Sequence, residues 1–351
     1  MKILITGGCG FVGSNLAIHL KYKLKKTDIF VLDNFFREGS ILNKKRLLKN
    51  KIKIITGDIR FQKDLLKIPN FDFLIDCAAD PSALSGIKNG LSYLVETNIN
   101  GTLNCLDLAK KNKAKIIFLS SSRVYSHEKI NDLSYKVINR EITPIKNCKG
   151  LNVKKGISES FDTQGLKTFY GLTKISAENL IKEYANIFGI DFIINRSGVI
   201  SGPWQWGRVD QGFMAYWMMA YMFKKKLKYF GYGGKGYQVR DILNVQDLCQ
   251  LIELQITNFN KFNNETFNIG GGMFSKISLI KLTEMCKEIF NTTIEPSTSK
   301  QIRSGDIPYY VSDYSKIKKL SGWEPEIHIE KTIEDIYLWV EKNKSKLLKL
   351  I

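Results

Sequence analysis

The chain has 351 residues, of which 44% are hydrophobic, and its 53 lysines and arginines outnumber 34 aspartates and glutamates to give a formal net charge of +19. This length allows a substantial buried core, and the ordinary hydrophobic fraction excludes disordered and fibrous classes. Because most of the basic residues are lysines spread along the whole chain, we predict no nucleic-acid partner.

The cellular compartment is predicted from the N-terminal sequence, the cysteines and the apolar stretches. The first apolar run starts at Ile3 with no charged leader before it, so secretion is not expected. The six cysteines form no Cys-x-x-Cys pair and have no nearby histidine, which predicts reduced thiols and no metal site. The longest apolar stretch, 213–223, is about half of the roughly 20 residues that a membrane span requires. We therefore expect a cytoplasmic protein without a membrane segment.

Short apolar runs alternate with helical patterns through the first half of the chain. The runs predicted as buried strands are 3–6, 29–32, 52–55, 73–76, 116–120 and 192–196. Crossover helices are predicted over 14–24, 91–111 and 173–188. This alternation predicts an α/β fold with a doubly wound parallel sheet of the Rossmann type.

Glycines with G-x-x-G-x-x-G spacing follow the first predicted strand and open the first helix. In such a loop the backbone approaches a pyrophosphate held at the helix N-terminus. Asp33, at the end of the second strand, would bind the ribose hydroxyls and repel a 2′-phosphate, which favours NAD over NADP. Arg37 is close enough in sequence to bind a 2′-phosphate, which keeps NADP open. The residues predicted to contact NAD are Gly7, Gly10, Phe11, Val12, Gly13, Asp33, Asn34, Asp58, Ile59, Ala78, Ala79, Asn98, Tyr170 and Lys174.

The second half of the chain has a looser pattern, with Gly- and aromatic-rich loops from about residue 202. A predicted strand at 266–269 returns to the main sheet. We therefore predict an NAD-binding Rossmann domain over 1–198 with a returning segment at about 239–272, and a smaller, interleaved, mainly substrate-binding domain over 199–351.

Ser121, Tyr170 and Lys174 are the predicted catalytic residues. Tyr170 and Lys174 are four residues apart at the start of a helix, so both side chains lie on one face. A nearby cation stabilises phenolate, and we expect the pKa of Tyr170 to fall from about 10 toward neutrality, making it a general base. Ser121 ends a parallel strand, where ligands bind in such sheets.

These motifs, together with 97–102, 238–241 and 303–306, resemble the extended short-chain dehydrogenase/reductase family of nucleotide-sugar epimerases and dehydratases. The resemblance implies that Arg240 and Arg303 grip a substrate diphosphate and that the protein is a homo-oligomer, either a dimer or a tetramer. The full set of predicted substrate contacts is Ser82, Ser122, Arg208, Gln211, Arg240 and Arg303.

Segments 202–212 and 238–241 look most like the CDP-paratose 2-epimerase (CDP-tyvelose epimerase) branch, whose members oxidise the hexose with bound NAD and re-reduce it on the opposite face. The dehydratases and decarboxylases of the family carry an acid after the catalytic Ser or Thr, where this chain has Ser122-Arg123. The resemblance therefore favours an epimerase acting on a CDP-hexose.

Several departures from the family pattern leave the substrate open. Asp76-Cys77-Ala78-Ala79 replaces the usual His-x-Ala-Ala, Val199 replaces a frequent diphosphate-binding Asn, and the stretch 125–170 is longer than expected. A UDP- or dTDP-sugar 4-epimerase or reductase is the first alternative, and a non-catalytic NAD-binding protein is the second. Trp204, Trp206 and Tyr232 either stack on the nucleobase or serve as packing anchors.

Overall fold

The computed structural model describes residues 1–82, 84–87, 90–208 and 211–348. The strands are β1 Lys2–Thr6, β2 Asp28–Asp33, β3 Lys53–Thr56, β4 Phe73–Asp76, β5 Lys115–Ser121, β6 Tyr135–Ile138, β7 Glu141–Pro144, β8 Leu151–Asn152, β9 Gly156–Ile157, β10 Phe192–Ser197, β11 Val199–Ser201, β12 Lys228–Phe230, β13 Val239–Asn244, β14 Glu265–Ile269, β15 Lys276–Ser278, β16 Ser297–Ser299 and β17 Tyr309–Tyr310. The helices are α1 Phe11–Lys23, α2 Gly39–Lys49, α3 Gln62–Leu65, α4 Ser92–Val95, α5 Gly101–Asn112, α6 His127–Asn131, α7 Phe169–Phe188, α8 Phe213–Met222, α9 Val245–Thr257, α10 Phe259–Phe262, α11 Leu279–Ile289, α12 Ser315–Ser321, α13 Ile329–Lys342 and α14 Lys344–Leu347.

The main sheet has seven strands in the order β3-β2-β1-β4-β5-β10-β14. The neighbours β1/β2, β1/β4, β2/β3 and β4/β5 are parallel, and Ile3 at the centre pairs with Ile29 and Phe73. Strands β1, β2, β4, β5 and β10 are almost entirely buried, as expected for a sheet with helices on both faces. The predicted doubly wound Rossmann-type fold is confirmed, including the return of 266–269 to the sheet edge.

The three predicted crossover helices differ in detail from those in the structure. The helix predicted at 14–24 spans Phe11–Lys23. The predicted helix 173–188 begins earlier, at Phe169, so Tyr170 and Lys174 both lie within its first two turns. The predicted helix 91–111 is interrupted by a π-helical turn over Glu96–Asn100. Within that turn the carbonyl of Asn98 accepts a hydrogen bond from the Thr102 hydroxyl at 3.0 Å. Such insertions are local features that hydrophobic periodicity does not reveal.

The chain divides into two compact units. Unit 1 comprises 1–124, 169–196 and 248–267, and unit 2 comprises 125–168, 197–247 and 268–351. The division at 196/197 lies near the predicted boundary at 198, whereas the stretch 125–168, predicted within the first domain, groups with unit 2. The returning segment is also shorter than the predicted 239–272.

Unit 2 has its own core. Helices α8, α11 and α13 supply buried residues such as Met218, Leu282 and Ile336. A small sheet of β11, β13, β15 and β17 lies within the same unit. The apolar stretch at 213–223 therefore forms a buried helix, and no helix in the described part of the chain is long and apolar enough to cross a membrane.

The long stretch 125–168 is held to unit 2 by backbone and side-chain hydrogen bonds. Ile157 donates its N–H to the carbonyl of Val311 at 2.7 Å, and Asp313 donates back to Ile157 at 2.8 Å. The Glu159 carboxylate accepts the backbone N–H of Asn268 at 2.7 Å. These contacts with residues more than a hundred positions away explain why the stretch groups with unit 2.

Gly150→Ala should destabilise the protein more than Gly189→Ala. Both glycines have left-handed backbone angles, φ +78° and +67°, so alanine costs about 1–2 kcal/mol at either position. A Cβ at Gly150 would also lie 2.2 Å from the Cα of Phe161, whereas a Cβ at Gly189 meets nothing within 4 Å. Urea unfolding followed by circular dichroism measures both. Equal losses would contradict the packing of residue 150 against residue 161.

Candidate active site

The glycine loop between β1 and α1 forms a cradle of exposed backbone. A Cβ on Gly13 would lie 2.5 Å from the Gly7 carbonyl oxygen, which fixes glycine at that position. A Cβ on Gly10 would meet only the same oxygen, at 3.0 Å, so the space above Gly10 is open. Gly10 caps α1 without a side-chain hydrogen bond, which leaves the first N–H groups of the helix, from Phe11 and Val12 onward, for an anion. The loop therefore fits a dinucleotide pyrophosphate.

Asp33 is held at the end of β2 with both carboxylate oxygens engaged by the backbone. Its Oδ2 accepts the N–H of Cys9 at 2.8 Å, and its Oδ1 accepts the N–H of Phe35 at 2.8 Å. Burial raises the pKa of Asp33, and these hydrogen bonds oppose the rise. Arg37, the residue that left NADP open, donates from Nη2 to Asp80 Oδ1 at 2.6 Å. An arginine neutralised by a carboxylate is poorly suited to bind a 2′-phosphate, which favours NAD.

Asn34, Asp58 and Ile59 lie where β2 and β3 end, on the same edge of the sheet as the glycine loop. Asn34 donates to Asp58 Oδ2 at 2.9 Å, and Arg60 donates to both oxygens of Asp58. Burial raises the pKa of Asp58, but the hydrogen bonds from Arg60 and Asn34 lower it overall. Asp58 therefore carries a stabilised negative charge beside the predicted cofactor edge.

The loop after β4 contains Ala78 and Ala79 and is fixed by Asn98. Ala78 donates its N–H to the Thr6 hydroxyl at 3.2 Å. Asn98 accepts the N–H of Asp80 at 2.8 Å and donates to the Asp80 carbonyl at 3.1 Å and the Thr173 hydroxyl at 3.0 Å. Since its amide is used to join this loop to α7, the predicted contact of Asn98 with the cofactor stays a prediction.

Ser121, Tyr170 and Lys174 come together within unit 1. Ser121 ends β5, and its hydroxyl is hydrogen-bonded to the phenol of Tyr170. The same hydroxyl accepts the backbone N–H of Arg123 at 3.2 Å. Tyr170 is 9% exposed and Lys174 is 3% exposed. Ser121, which is half-buried, and Tyr170 therefore meet at the carboxyl end of a parallel strand, and Lys174 is buried one helical turn further along α7. We refer to these three residues as the cluster.

Burial dominates the electrostatics of this cluster. It raises the pKa of Tyr170, so the expected fall toward neutrality is wrong for the protein alone. The groups that oppose the rise are the Ser121 hydroxyl and the charge of Arg123. Burial also lowers the pKa of Lys174 to about 8, although the negative charges of Asp76 and Glu178 oppose this fall. Low-dielectric surroundings favour the neutral form of both side chains.

A buried network behind the cluster was not found from the sequence. The Glu178 carboxylate accepts from both Nε and Nη2 of Arg196 and from the Ser120 hydroxyl at 2.5 Å. Asp76 at the end of β4 accepts a hydrogen bond from Thr6 at 2.5 Å. The available signals were the charges of Asp76 and Arg196 inside apolar strands and the position of Glu178, four residues after Lys174.

Unit 2 contains most of the predicted substrate contacts. Arg240 donates from Nη2 to Asp306 Oδ1 at 3.1 Å and to the Ile307 carbonyl at 2.7 Å. The Arg303 guanidinium lies 3.9 Å from the centroid of the Phe230 ring. The guanidinium groups of Arg240 and Arg303 are therefore both held in place by neighbouring groups of unit 2.

Other predicted residues are placed differently. Arg208 is exposed and pairs through its backbone with Gln211, and residues 209 and 210 of the same motif lie outside the described part of the chain. In unit 1, Ser82 is buried and accepts the N–H of Leu84 at 3.1 Å, while Ser122 begins a 3₁₀ turn.

The aromatic residues left open by the sequence have distinct surroundings. The Trp204 and Trp206 rings pack against Trp339 of α13, with centroids 6.0 and 6.2 Å away. They therefore have the surroundings of packing anchors. Tyr232 instead donates its hydroxyl proton to Asn131 at 2.9 Å.

Comparisons with known proteins give a consistent set of relatives. The profile of the NAD dependent epimerase/dehydratase family matches residues 3–270. CDP-paratose 2-epimerase of Salmonella typhi and a putative UDP-glucose 4-epimerase of Methanocaldococcus jannaschii are each 28% identical over 348 residues, covering 97% of this chain and 99% of either protein. The structure of Bacillus cereus UDP-glucuronic acid 4-epimerase with UDP-glucuronic acid and NAD superposes with a TM-score of 0.77 at 25% identity, covering 97% of this chain and 99% of that one.

Gly10→Ala should abolish NAD binding while leaving the ligand-free protein folded. Gly10 has φ −71° and ψ 178°, which alanine adopts easily, but the new methyl group would occupy the space above the loop. Gly13→Ala is the matched comparison, because its methyl group would clash with the backbone and lower the melting temperature itself. Melting with and without added NAD distinguishes the two. Normal NAD binding by Gly10→Ala would contradict the predicted position of the pyrophosphate.

Proposed function

Because the chain belongs to the NAD dependent epimerase/dehydratase family and is thus an NAD-dependent enzyme, we propose that it is a nucleotide-sugar epimerase. The observation that carries the proposal is the cluster of half-buried Ser121 with buried Tyr170 and Lys174, in the same unit as a loop that fits a dinucleotide. A non-catalytic protein that only bound NAD would not need these three side chains. In the proposed reaction one carbon of the sugar is oxidised and then re-reduced on its other face, so no net redox change results.

The side chains of the cluster would divide the proton chemistry between them. NAD, when bound, supplies reversible two-electron oxidation of the substrate carbon. Tyr170 would accept the proton from the hydroxyl on that carbon and later return it. Ser121, already bonded to the phenol, would hold the reacting oxygen beside it. Lys174 would bind the cofactor ribose and favour ionisation of Tyr170 through its charge.

The residues after Ser121 support epimerisation over dehydration. A dehydratase needs an acid that protonates the leaving hydroxyl, and the chain has Ser122 and Arg123 at those positions. Arg123 instead places a positive charge where it opposes the rise in the pKa of Tyr170 that burial causes. The cluster is therefore equipped to remove and return one proton.

The finer proposal is a CDP-hexose substrate, with inversion as in CDP-paratose 2-epimerase. Its support is the similarity of the whole chain to the Salmonella typhi enzyme and of segments 202–212 and 238–241 to that branch. Arg240 and Arg303 would bind the diphosphate, since guanidinium groups form paired hydrogen bonds with phosphate oxygens. A UDP-sugar 4-epimerase is the second candidate, favoured by the Methanocaldococcus jannaschii and Bacillus cereus relatives.

We also propose a cytoplasmic homo-oligomer. The support for the location is that all six cysteines are free, as is usual in reducing compartments. The support for association is that α7 exposes Leu172, Ile187 and Phe188 by 51%, 61% and 44%. Exposed apolar side chains of this kind occur at protein interfaces.

Tyr170→Phe should abolish epimerisation while retaining NAD and nucleotide binding. The substitution removes the hydroxyl that would carry the proton and leaves the ring in place. Turnover is measured by NMR of the sugar without added NAD, with wild-type protein as the reference, and we expect a loss of at least about a hundredfold. Unchanged turnover in the variant would contradict the role of Tyr170. Stoichiometric NADH formation by the wild type would indicate a net oxidoreductase.

CDP should stabilise the protein more than equal concentrations of UDP, GDP or dTDP. A ligand at about 100 times its Kd stabilises by about 2.7 kcal/mol, which is readily seen as a melting shift. Arg303→Gln should reduce the shift for every nucleotide. Lys228→Gln is the matched control, because it removes an exposed positive charge near the same Phe230 ring and should preserve the shift. A UDP- or dTDP-selective shift would overturn the CDP proposal while leaving the family assignment intact.

A further inference from the structure

Asp76 is a buried carboxylate in a position where the family pattern has histidine. It ends the central strand β4 and is 2% exposed. Its Oδ1 accepts the Thr6 hydroxyl at 2.5 Å, and among the described residues Oδ2 has no hydrogen-bond partner. A carboxylate with an unsatisfied buried oxygen is costly unless it compensates a nearby positive charge. Burial raises the pKa of Asp76, and the charge of Lys174 and the hydrogen bonds from Thr6 and Ala78 oppose that rise.

The nearby positive charge is the ammonium group of Lys174, which lies over the ring of Phe118, the residue that pairs with Asp76 between β4 and β5. Lys174 is 3% exposed, and its Nζ lies 4.0 Å from the centroid of the Phe118 ring. The titratable groups that act on it are Asp76 from β4, Cys77 next to it, and Glu178 from its own helix. A buried ammonium ion needs such partners to remain charged.

Glu178 is already paired with another cation, the guanidinium group of Arg196. Its two oxygens accept hydrogen bonds from Nε and Nη2 of Arg196 at 3.0–3.1 and 2.7 Å. The Ser120 hydroxyl donates to the same carboxylate at 2.5 Å. Because Arg196 balances the charge of Glu178, the charge of Lys174 is left mainly to Asp76. The thiol of Cys77 is neutral, since burial raises its pKa.

We propose that Asp76 is a positioning residue whose ionised carboxylate keeps Lys174 protonated and directed toward the catalytic cluster. This inference rests on the proposed function, because it assigns Lys174 the roles of binding the cofactor ribose and supporting Tyr170. Asp76 acts through Lys174 and touches no reacting atom. The geometry that carries it is the position of Lys174 over Phe118, which pairs with Asp76 between β4 and β5, together with the burial of both side chains and the separate pairing of Glu178 with Arg196.

The sign of the pH effect follows from the charges. Burial lowers the pKa of Lys174 to about 8 with Asp76 in place. Removing the negative charge should lower that pKa further, by about one to three units, the usual effect of a neighbouring opposite charge. Functions that need protonated Lys174 are present below its pKa and are lost as the pH rises through it. Without Asp76, this loss should occur at lower pH.

Asp76→Asn is the test, because the amide retains the shape and an acceptor for Thr6 but carries no charge. NAD affinity and epimerase kcat/KM are measured from pH 5.5 to 9.5 on wild type and variant. We expect the alkaline decline of both to move down by about one to three pH units, with activity partly recovered at low pH. Asp72→Asn is the matched control, because Asp72 is exposed and should leave both profiles unchanged.

Two further variants keep the inference testable if Asp76→Asn fails to fold. Asp76→Glu retains the charge and should restore the wild-type profile. Thr6→Val removes the hydrogen bond that stabilises the carboxylate and should move the alkaline decline in the same direction as Asp76→Asn. Profiles with an unchanged pH midpoint in Asp76→Asn, or in Thr6→Val where the former does not fold, would overturn the role of Asp76. The NAD profile can be read even if no nucleotide-sugar is turned over, which separates this failure from failure of the proposed function.

Discussion

The buried ion pair between Glu178 and Arg196 fixes the helix on which the proposed chemistry depends. Both side chains are removed from water, and the paired hydrogen bonds of the guanidinium to the carboxylate offset the cost of that removal. Glu178 follows Tyr170 and Lys174 at intervals of four residues, so all three lie on one face of α7. Anchoring Glu178 to β10 therefore also sets the direction in which Tyr170 and Lys174 point.

A second set of contacts connects the same helix to the cofactor loops. Asn98 joins the backbone of Asp80 to Thr173, and Asp80 in turn binds Arg37 beyond the end of β2. The loops that follow β2 and β4 are thus tied to the helix that carries Tyr170. A change in the loop after β2 would therefore reach α7 through a chain of hydrogen bonds.

The features that could be predicted from the sequence are those that depend on residues close together in the chain. The alternation of strands and helices, the glycine loop and the four-residue spacing of Tyr170 and Lys174 depend on neighbours close in sequence, and the structure contains all of them. The partners of Arg37 and Arg196 are 43 and 18 residues away and lie on other elements, so their pairing could not be read from helix or strand spacing. The sequence shows only that the stretch 125–170 is longer than expected, because the hydrogen-bond partners that hold 125–168 lie more than a hundred residues away.

The pKa of Tyr170 shows why local reasoning gave the wrong sign. The four-residue spacing places a lysine near the tyrosine, but it says nothing about how deeply either is buried. In the structure burial acts on both, so the phenol is harder to ionise and the ammonium easier to neutralise. The same exclusion of water makes each remaining charge act more strongly. The strength of Tyr170 as a base is therefore set by the sum of the charges around it: Arg123 opposes the rise in its pKa, and Asp80 adds to that rise. In the proposed reaction Lys174 would add a second positive charge, and only while a carboxylate such as Asp76 keeps it protonated.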